Sequence, residues 1–408
     1  MDFITQYLLA NSGTEVPIRY TRWAAIALLS ATIGRRAYVD HGHFRIYPWL
    51  YYCFVGTSGS GKTTAKDQAK LMFIDCFPEF PIGSNIASRE QLVEFMSSDQ
   101  CSQFYNDETG ALIEWKPYAN FVNELSNFVS FNPMSMVEFL TDIFDSNEYK
   151  SSTVKRGVEY INKPYVFLLA CTTPDYIIRT FKSTVLGAGF SRRLIFVYDL
   201  KEVETIITFP EKSIEAYAAE KWCKEHLISI AKKNTTAFTW APGAKDFLHD
   251  WNVKRLRPKD PVLAGYIKSK DLIVQKIAMC LAYAVPGLQP IFTEHLLRLA
   301  IQTLEDNEDN LHRLTVAAGR NQLAVPQNTL LQLLEQAGGM MTEKAFHIVA
   351  SRDLNEMEYH NMKLLLQKTD QIVLGTAGGT LMVISKAKHD ALVEEDRKRN
   401  QQPPPTSS

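Results

Sequence analysis

The sequence has no C-x-x-C pair: its six cysteines stand singly at positions 53, 76, 101, 171, 223 and 280 of 408 residues. That spacing argues against a zinc ribbon and a disulfide framework, and suits a reduced, cytoplasmic compartment. No window approaches 18 uncharged apolar residues, so no transmembrane helix and no membrane partner is expected. The first twenty residues lack the basic region, apolar core and small-residue cleavage site of a signal peptide. Nine histidines include no H-x-x-x-H or H-E-x-x-H spacing. Neither sign of charge dominates, with 44 Lys+Arg against 45 Asp+Glu and a net charge of -1. A protein that coats nucleic acid by bulk charge is basic. Any polyanion bound here must meet a local patch, or charges concentrated by assembly.

What is present is ordinary globular composition, 46% hydrophobic and 22% charged, enough for two or three domains at roughly 100–200 residues each. No internal repeat at a period of 20–50 residues is visible. Residues 1–45 hold a helix over 17–34, with Ile18, Trp23, Ile26, Ala27 and Ser30 as its apolar stripe and Arg35-Arg36 at its end. Residues 46–200 alternate short apolar runs (50–55, 119–123, 165–171 and 194–198) with helical segments. This is the pattern of a parallel sheet covered on both faces, an α/β core. Residues 201–320 read as helical, over 214–232, 241–255, 265–284 and 293–318, with Thr293 as a cap. Residues 326–388 give three helices (328–336, 342–350 and 354–367) and then two strands (371–375 and 380–385) around Thr376-Ala-Gly-Gly379. That is the order of a winged helix-turn-helix. Residues 389–408 are polar and proline-rich, and read as a disordered tail.

The strongest motif is Gly56-Thr57-Ser58-Gly59-Ser60-Gly61-Lys62-Thr63-Thr64, between an apolar strand and a helical segment. It fits G-x-x-x-x-G-K-[ST], the loop that cradles nucleotide phosphates. The glycines permit positive φ and close backbone approach. Backbone N–H groups and the helix N-terminus face the phosphates. Lys62 reaches the β- and γ-phosphates, and the Thr63 hydroxyl coordinates Mg²⁺. ATP and Mg²⁺ are the cofactors expected.

Hydrolysis also needs a carboxylate at the end of a second apolar strand. Glu124, after Asn123, is the catalytic-base candidate, with Asp107, Glu108 and Glu114 as competitors. Asn123 and Glu124 join Thr63 as candidate metal-side residues, although Asn123 stands where an aspartate is usual. A third strand ends in Thr172-Thr173-Pro174; Thr173 is the first choice to hold the attacking water or γ-phosphate, and Thr172 the second. Arg192 and Arg193 precede a fourth strand after the glycine-rich loop that contains Gly187 and Gly189. A guanidinium there can reach a neighbour's γ-phosphate.

In this order, the motifs resemble the AAA+ ATPases. The likeness is greatest to MCM-like replicative helicases and to phage and prophage P-loop proteins that form the helicase part of primase–helicases. It spans about residues 15–320. Ser191-Arg192 before a strand is similar to the MCM arginine-finger motif, where a phenylalanine usually takes the place of Arg193. The helix running into Arg35-Arg36 is similar to that of the phage-type proteins. The resemblance implies a DNA-contacting hairpin in the ring channel, with Lys150, Lys155 and Arg156 on phosphates. It also implies a basic lid residue aimed at the nucleotide, for which Lys268, Lys270, Lys276 and Arg257 are candidates. The third helix of the winged unit carries His360, Lys363 and Lys368 but also Glu356 and Glu358, a poor basic recognition face.

The expectation is an ATP-hydrolysing DNA helicase or translocase of phage or mobile-element replication. It would act as a hexameric ring on single-stranded or forked DNA, with a separate primase or other replication protein as partner. Two alternatives stay open: an ATP-switched helicase loader or replication initiator, and a P-loop ATPase acting on protein partners in defence or packaging.

Overall fold

Tyr51-Tyr-Cys-Phe-Val55 has no polar alternation, so a strand there needs cover on both faces. In the structure, a computed structural model, all five residues are buried. The described residues are all except 85–87, 129–132, 154–156, 182–187, 200–210, 256–263, 288, 320–323, 352–353, 355 and 401–408. The chain divides into two compact units, Met1–Ala317 and Ala318–Ser408.

The elements of the first unit that bear on the site are, in chain order, α1 (Phe3–Ala10), α2 (Ile18–Ile33), β1 (Tyr51–Val55), α3 (Lys62–Cys76), β2 (Gln103–Asn106) and β3 (Leu112–Val122). There follow β4 (Glu148–Thr153), β5 (Gly157–Asn162), β6 (Pro164–Thr172), β7 (Leu194–Tyr198), α4 (Ile214–Ala231) and α5 (Lys270–Ala284). The unit is α/β. Its five-stranded sheet has the order β2-β3-β6-β1-β7. The pairs β3–β6, β6–β1 and β1–β7 are parallel, and β2 forms an antiparallel hairpin with β3. Val55 stands beside Thr172 on one side and Tyr198 on the other, so the carboxyl ends of three strands lie level.

The helix α2 is buried along almost its whole length, from Tyr20 and Trp23 to Ile33. Ile18, read as part of its apolar stripe, is instead exposed, because it is the first helical residue and lies outside the packed turns. The N-terminal segment has no core of its own. The helix α1 packs on α4 and α2, the 37–40 strand pairs in parallel with Thr236–Ala237, and one hydrophobic cluster runs from Phe3 to Leu304. The predicted 265–284 helix is two helices, Ala264–Lys268 and α5, broken at Ser269. The Thr293 hydroxyl does accept from the Leu296 amide, at 3.2 Å. All six cysteines are free, and five are buried. Among the described residues no helix is long and apolar enough to cross a membrane.

The second unit holds α6 (Ala324–Gln336), β8 (Met340–Thr342), α7 (Glu343–Ala350), α8 (Glu356–Lys368), β9 (Ile372–Ala377), β10 (Thr380–Ser385) and α9 (Lys386–Asn400). Its three-stranded antiparallel sheet has the order β8-β10-β9, and its core includes Leu334, Phe346, Met362, Leu366 and Val383. Thr342 caps α7 by accepting from the Ala345 amide at 3.2 Å. The expected disordered tail is helical as far as Asn400. Its lysines, glutamates and arginines are good helix formers, and Lys386 pairs with Asp390 one turn on, at 3.1 Å. The proline-rich residues 401–408 lie outside the described residues.

Candidate nucleotide site

The loop after β1 turns into α3 through Gly59 and Gly61, both at φ 79°. Gly61 is the residue before the first helical turn, so α3 begins at Lys62 with its free N–H groups facing the loop. Gly56 is buried, and its amide donates to the Thr172 carbonyl at 3.2 Å, joining the loop to β6. A Cβ on Gly56 would stand 2.6 Å from the Tyr20 hydroxyl, which a side chain cannot tolerate. Thr57, Ser58 and Gly59 are exposed, Ser60, Gly61 and Thr63 are half-buried, and Thr64 is exposed. Lys62 is buried and its ammonium donates to the Thr57 carbonyl at 2.8 Å, bridging its own loop.

Two neighbouring strands deliver polar groups to the same edge. Glu124, just past β3, accepts from the Thr172 hydroxyl at 2.7 Å. Thr172 is the last residue of β6 and fully buried. The residue beside the carboxylate is therefore Thr172 and not Thr173. Thr173 caps the following Pro174–Phe181 helix and accepts from the Tyr176 amide at 3.4 Å. Asn123 is exposed, and its amide oxygen accepts a short hydrogen bond from the ammonium of Lys66, one turn beyond Lys62 on α3. Lys66 is buried and also donates to Asp67 at 2.5 Å.

The three competing carboxylates serve the fold elsewhere. Asp107 accepts from the amides of Thr109 and Ala111, at 2.8 and 2.9 Å, in the β2–β3 turn. Glu108 accepts from the Tyr38 hydroxyl, and Glu114 from Ser102 at 2.7 Å with Lys116 at 3.2 Å.

Tyr20 and Lys66 escaped the sequence reading. Tyr20, on α2, donates to the Val55 carbonyl at 2.5 Å and accepts from the Asp199 amide at 3.4 Å. Burial pushes its hydroxyl up to about 12. It ties the carboxyl ends of β1 and β7 together beneath the loop. Nothing marks either residue in isolation: Tyr20 is one aromatic among many, and Lys66 reads as a solvated lysine on a polar helix face.

The arginine pair lies at the opposite edge. Arg193 precedes β7, and its carbonyl accepts from the Tyr51 amide, at the start of β1, at 3.0 Å. A five-residue strand, about 17 Å at ~3.3 Å per residue, separates this end of β1 from its loop. Arg192 is exposed. Arg193 turns inward: its guanidinium donates to the Gly189 carbonyl and lies 5.1 Å from the Phe144 ring centroid. Burial, with Arg192 beside it, lowers its pKa. Arg193 therefore serves the fold in this arrangement, whereas Arg192 is exposed.

Lys150 is exposed on β4, which pairs with β5 in an antiparallel ribbon. Its ammonium is 3.6 Å from Glu148 and 5.3 Å from the Tyr160 ring centroid. Lys155, Arg156, Gly187 and Arg257 lie outside the described residues. Of the lid candidates, Lys276 is buried and pairs with Asp145 at 2.6 Å and with the Trp49 carbonyl at 3.1 Å. Burial lowers its pKa in spite of Asp145. Those partners fix it at the amino edge of the sheet, away from the loop. Lys270 pairs with Glu308 at 2.6 Å, and Lys268 is exposed.

The donor set suits Mg²⁺ only in part. A hard cation takes oxygen ligands, and the Thr63 hydroxyl and the Glu124 carboxylate meet that need. The Asn123 oxygen already accepts from a cation, Lys66, and is withdrawn from the candidate metal ligands. Among the described residues no three His, Cys, Asp or Glu side chains cluster as a metal site. No known protein family model matches the chain, and no curated protein matches it.

Proposed function

We propose that the chain binds and hydrolyses ATP at the loop of residues 56–64, as a P-loop ATPase of AAA+ type with a C-terminal winged-helix unit, and works on DNA as a ring. One observation carries the reading: the glycine loop and the Glu124–Thr172 pair meet at the carboxyl ends of adjacent parallel strands. That crevice is where open α/β sheets bind their ligands. In this reading the loop amides and Lys62 hold the phosphates, and Lys62 exchanges the Thr57 carbonyl for a phosphate oxygen. Glu124 takes the proton of the attacking water, and Thr172 orients Glu124. Mg²⁺, when bound, neutralises the developing charge on the phosphates, with Thr63 as its ligand from this chain.

Arg192 is too far from its own loop to act there, yet it is exposed. It fits a finger offered to the loop of a second copy. The exposed Lys150, on a two-stranded ribbon, supports a phosphate-tracking role for β4 and β5. The winged unit reads better as an interaction module than as a sequence reader. On α7, Glu343 engages both Lys363, at 2.7 Å, and Tyr359, at 2.9 Å, of the would-be recognition helix.

A second reading rests on Asn123. Its bond to Lys66 replaces a metal-side carboxylate with a neutral amide tied to a cation. Slow hydrolysis suits an ATP-switched loader or initiator, or an ATPase acting on protein partners. The deciding measurement is ATP turnover with and without single-stranded DNA at low salt, with the particle mass determined in both states. DNA-stimulated turnover in a ring supports the helicase reading. Turnover that ignores DNA, from a monomer, overturns it.

A further inference from the structure

Beyond the nucleotide edge, the first unit contains a cavity of about 170 Å³ beneath the end of α3. Its walls include Phe73, Phe77, Phe80 and Trp115. Three other features set it apart from a packing void. Thr32, Arg36 and Trp115 all line it, and each holds a buried donor with no hydrogen-bond partner: the Thr32 hydroxyl, the Arg36 Nε and the Trp115 Nε1. Trp115 is 1% exposed and Arg36 only 9%. Among the described residues Arg36 forms no ion pair; its guanidinium donates to the Thr32 carbonyl at 3.3 Å and lies over the faces of Trp115 and Tyr105 at 5.4 and 5.8 Å.

A buried guanidinium without a carboxylate is costly, and unpaired donors beside it add to that cost. Desolvation here is strong enough to lower the pKa of Arg36 to about 10. A guanidinium with no carboxylate on the wall of this space calls for an anion, and aromatic walls call for an apolar body. At about 170 Å³ the space is below the usual range of roughly 300–1,000 Å³ for drug-sized pockets, which limits the ligand to a small molecule. Glu79 also lines the cavity, but its side chain is exposed, and its carbonyl accepts from Gln103 at 3.1 Å.

We propose that this cavity binds a small monocarboxylate with an aromatic or branched aliphatic body, its carboxylate on the guanidinium of Arg36. The site is independent of the nucleotide reading. It also touches the far end of the helix that the glycine loop begins, since Phe73 belongs to α3.

The test uses phenylacetate and its neutral amide, phenylacetamide, with the full chain, read by ligand-observed NMR and calorimetry. Phenylacetate should bind at millimolar concentration or better, and at least tenfold more tightly than phenylacetamide. Arg36→Met should weaken phenylacetate roughly ten- to a hundredfold, the worth of a hydrogen bond to a charged group. Ala231→Leu, which fills the cavity from the end of α4 and leaves the guanidinium in place, should abolish binding and gives a second route should Arg36→Met not fold. Equal binding of acid and amide, no binding of phenylacetate, or full binding by folded Ala231→Leu would each overturn the proposal.

Discussion

At the amino edge of the five-stranded sheet, Arg35 donates to the Ser146 and Pro164 carbonyls, the Tyr47 hydroxyl and the Asn147 side chain, at 2.5–3.1 Å. Arg193 and Lys276 are likewise committed there, to Gly189, Asp145 and the backbone before β1. At the carboxyl edge, Lys62 reaches only across its own loop, and the loop residues 57–59 are exposed. The difference lies in what the cations can leave. Arg35 and Lys276 at the amino edge are buried among partners supplied by distant segments, so releasing them disrupts the fold. Lys62 can release Thr57 at the cost of one loop contact, which is what a phosphate-binding lysine requires.

Substitutions test that contrast from both sides. The largest effect belongs to Lys62→Ala: ATP turnover should be abolished, with the circular dichroism spectrum unchanged. Retained turnover would mean that the loop is not the site. Next, Arg192→Ala should cut turnover of the assembled protein about a thousandfold while nucleotide still binds. Mixing it with Glu124→Gln subunits should restore part of the activity if the finger crosses between copies; a mixture as inactive as its parts would remove Arg192 from the site. Lys276→Met should change stability and not chemistry. It leaves Asp145 without its cation, and about 3 kcal/mol should be lost in urea denaturation. An unchanged midpoint would show that the amino edge is not the structural one. Smallest is Tyr20→Phe, which strands the Val55 carbonyl and should cost about 1–2 kcal/mol. If nucleotide affinity drops with it, the anchoring of the loop is part of the binding site.

Much of the α/β core was legible because its strands are short and apolar without alternation. The 194–198 run matches β7, and the run around 165–171 lies within β6. The place of the glycine loop between β1 and α3 was legible from its spacing, while Glu124 was one of four carboxylates that the sequence left in competition. Thr172 was harder. Two adjacent threonines end the strand, and only the pleat decides which one meets Glu124 and which caps the next helix. The roles of Arg193, Lys66 and Lys276 were illegible for a common reason. A basic residue reads as solvated unless its partner is known, and the partners here stand 4, 57 and 131 positions away. The tail failed for the opposite reason: polarity rules out a core, but a solvated helix needs none.

Tyr20 has one further consequence. Its hydroxyl holds the last residue of β1, and Gly56 is held by β6, so the loop has a clamped root and a swivel at Gly59 and Gly61. On the proposed reading, any rearrangement on nucleotide entry is then confined to a few polar residues. Calorimetry should register little change in heat capacity from the loop itself, because almost no apolar surface moves from or to water. A large negative value would have to originate elsewhere, in copies closing on one another across the exposed Arg192.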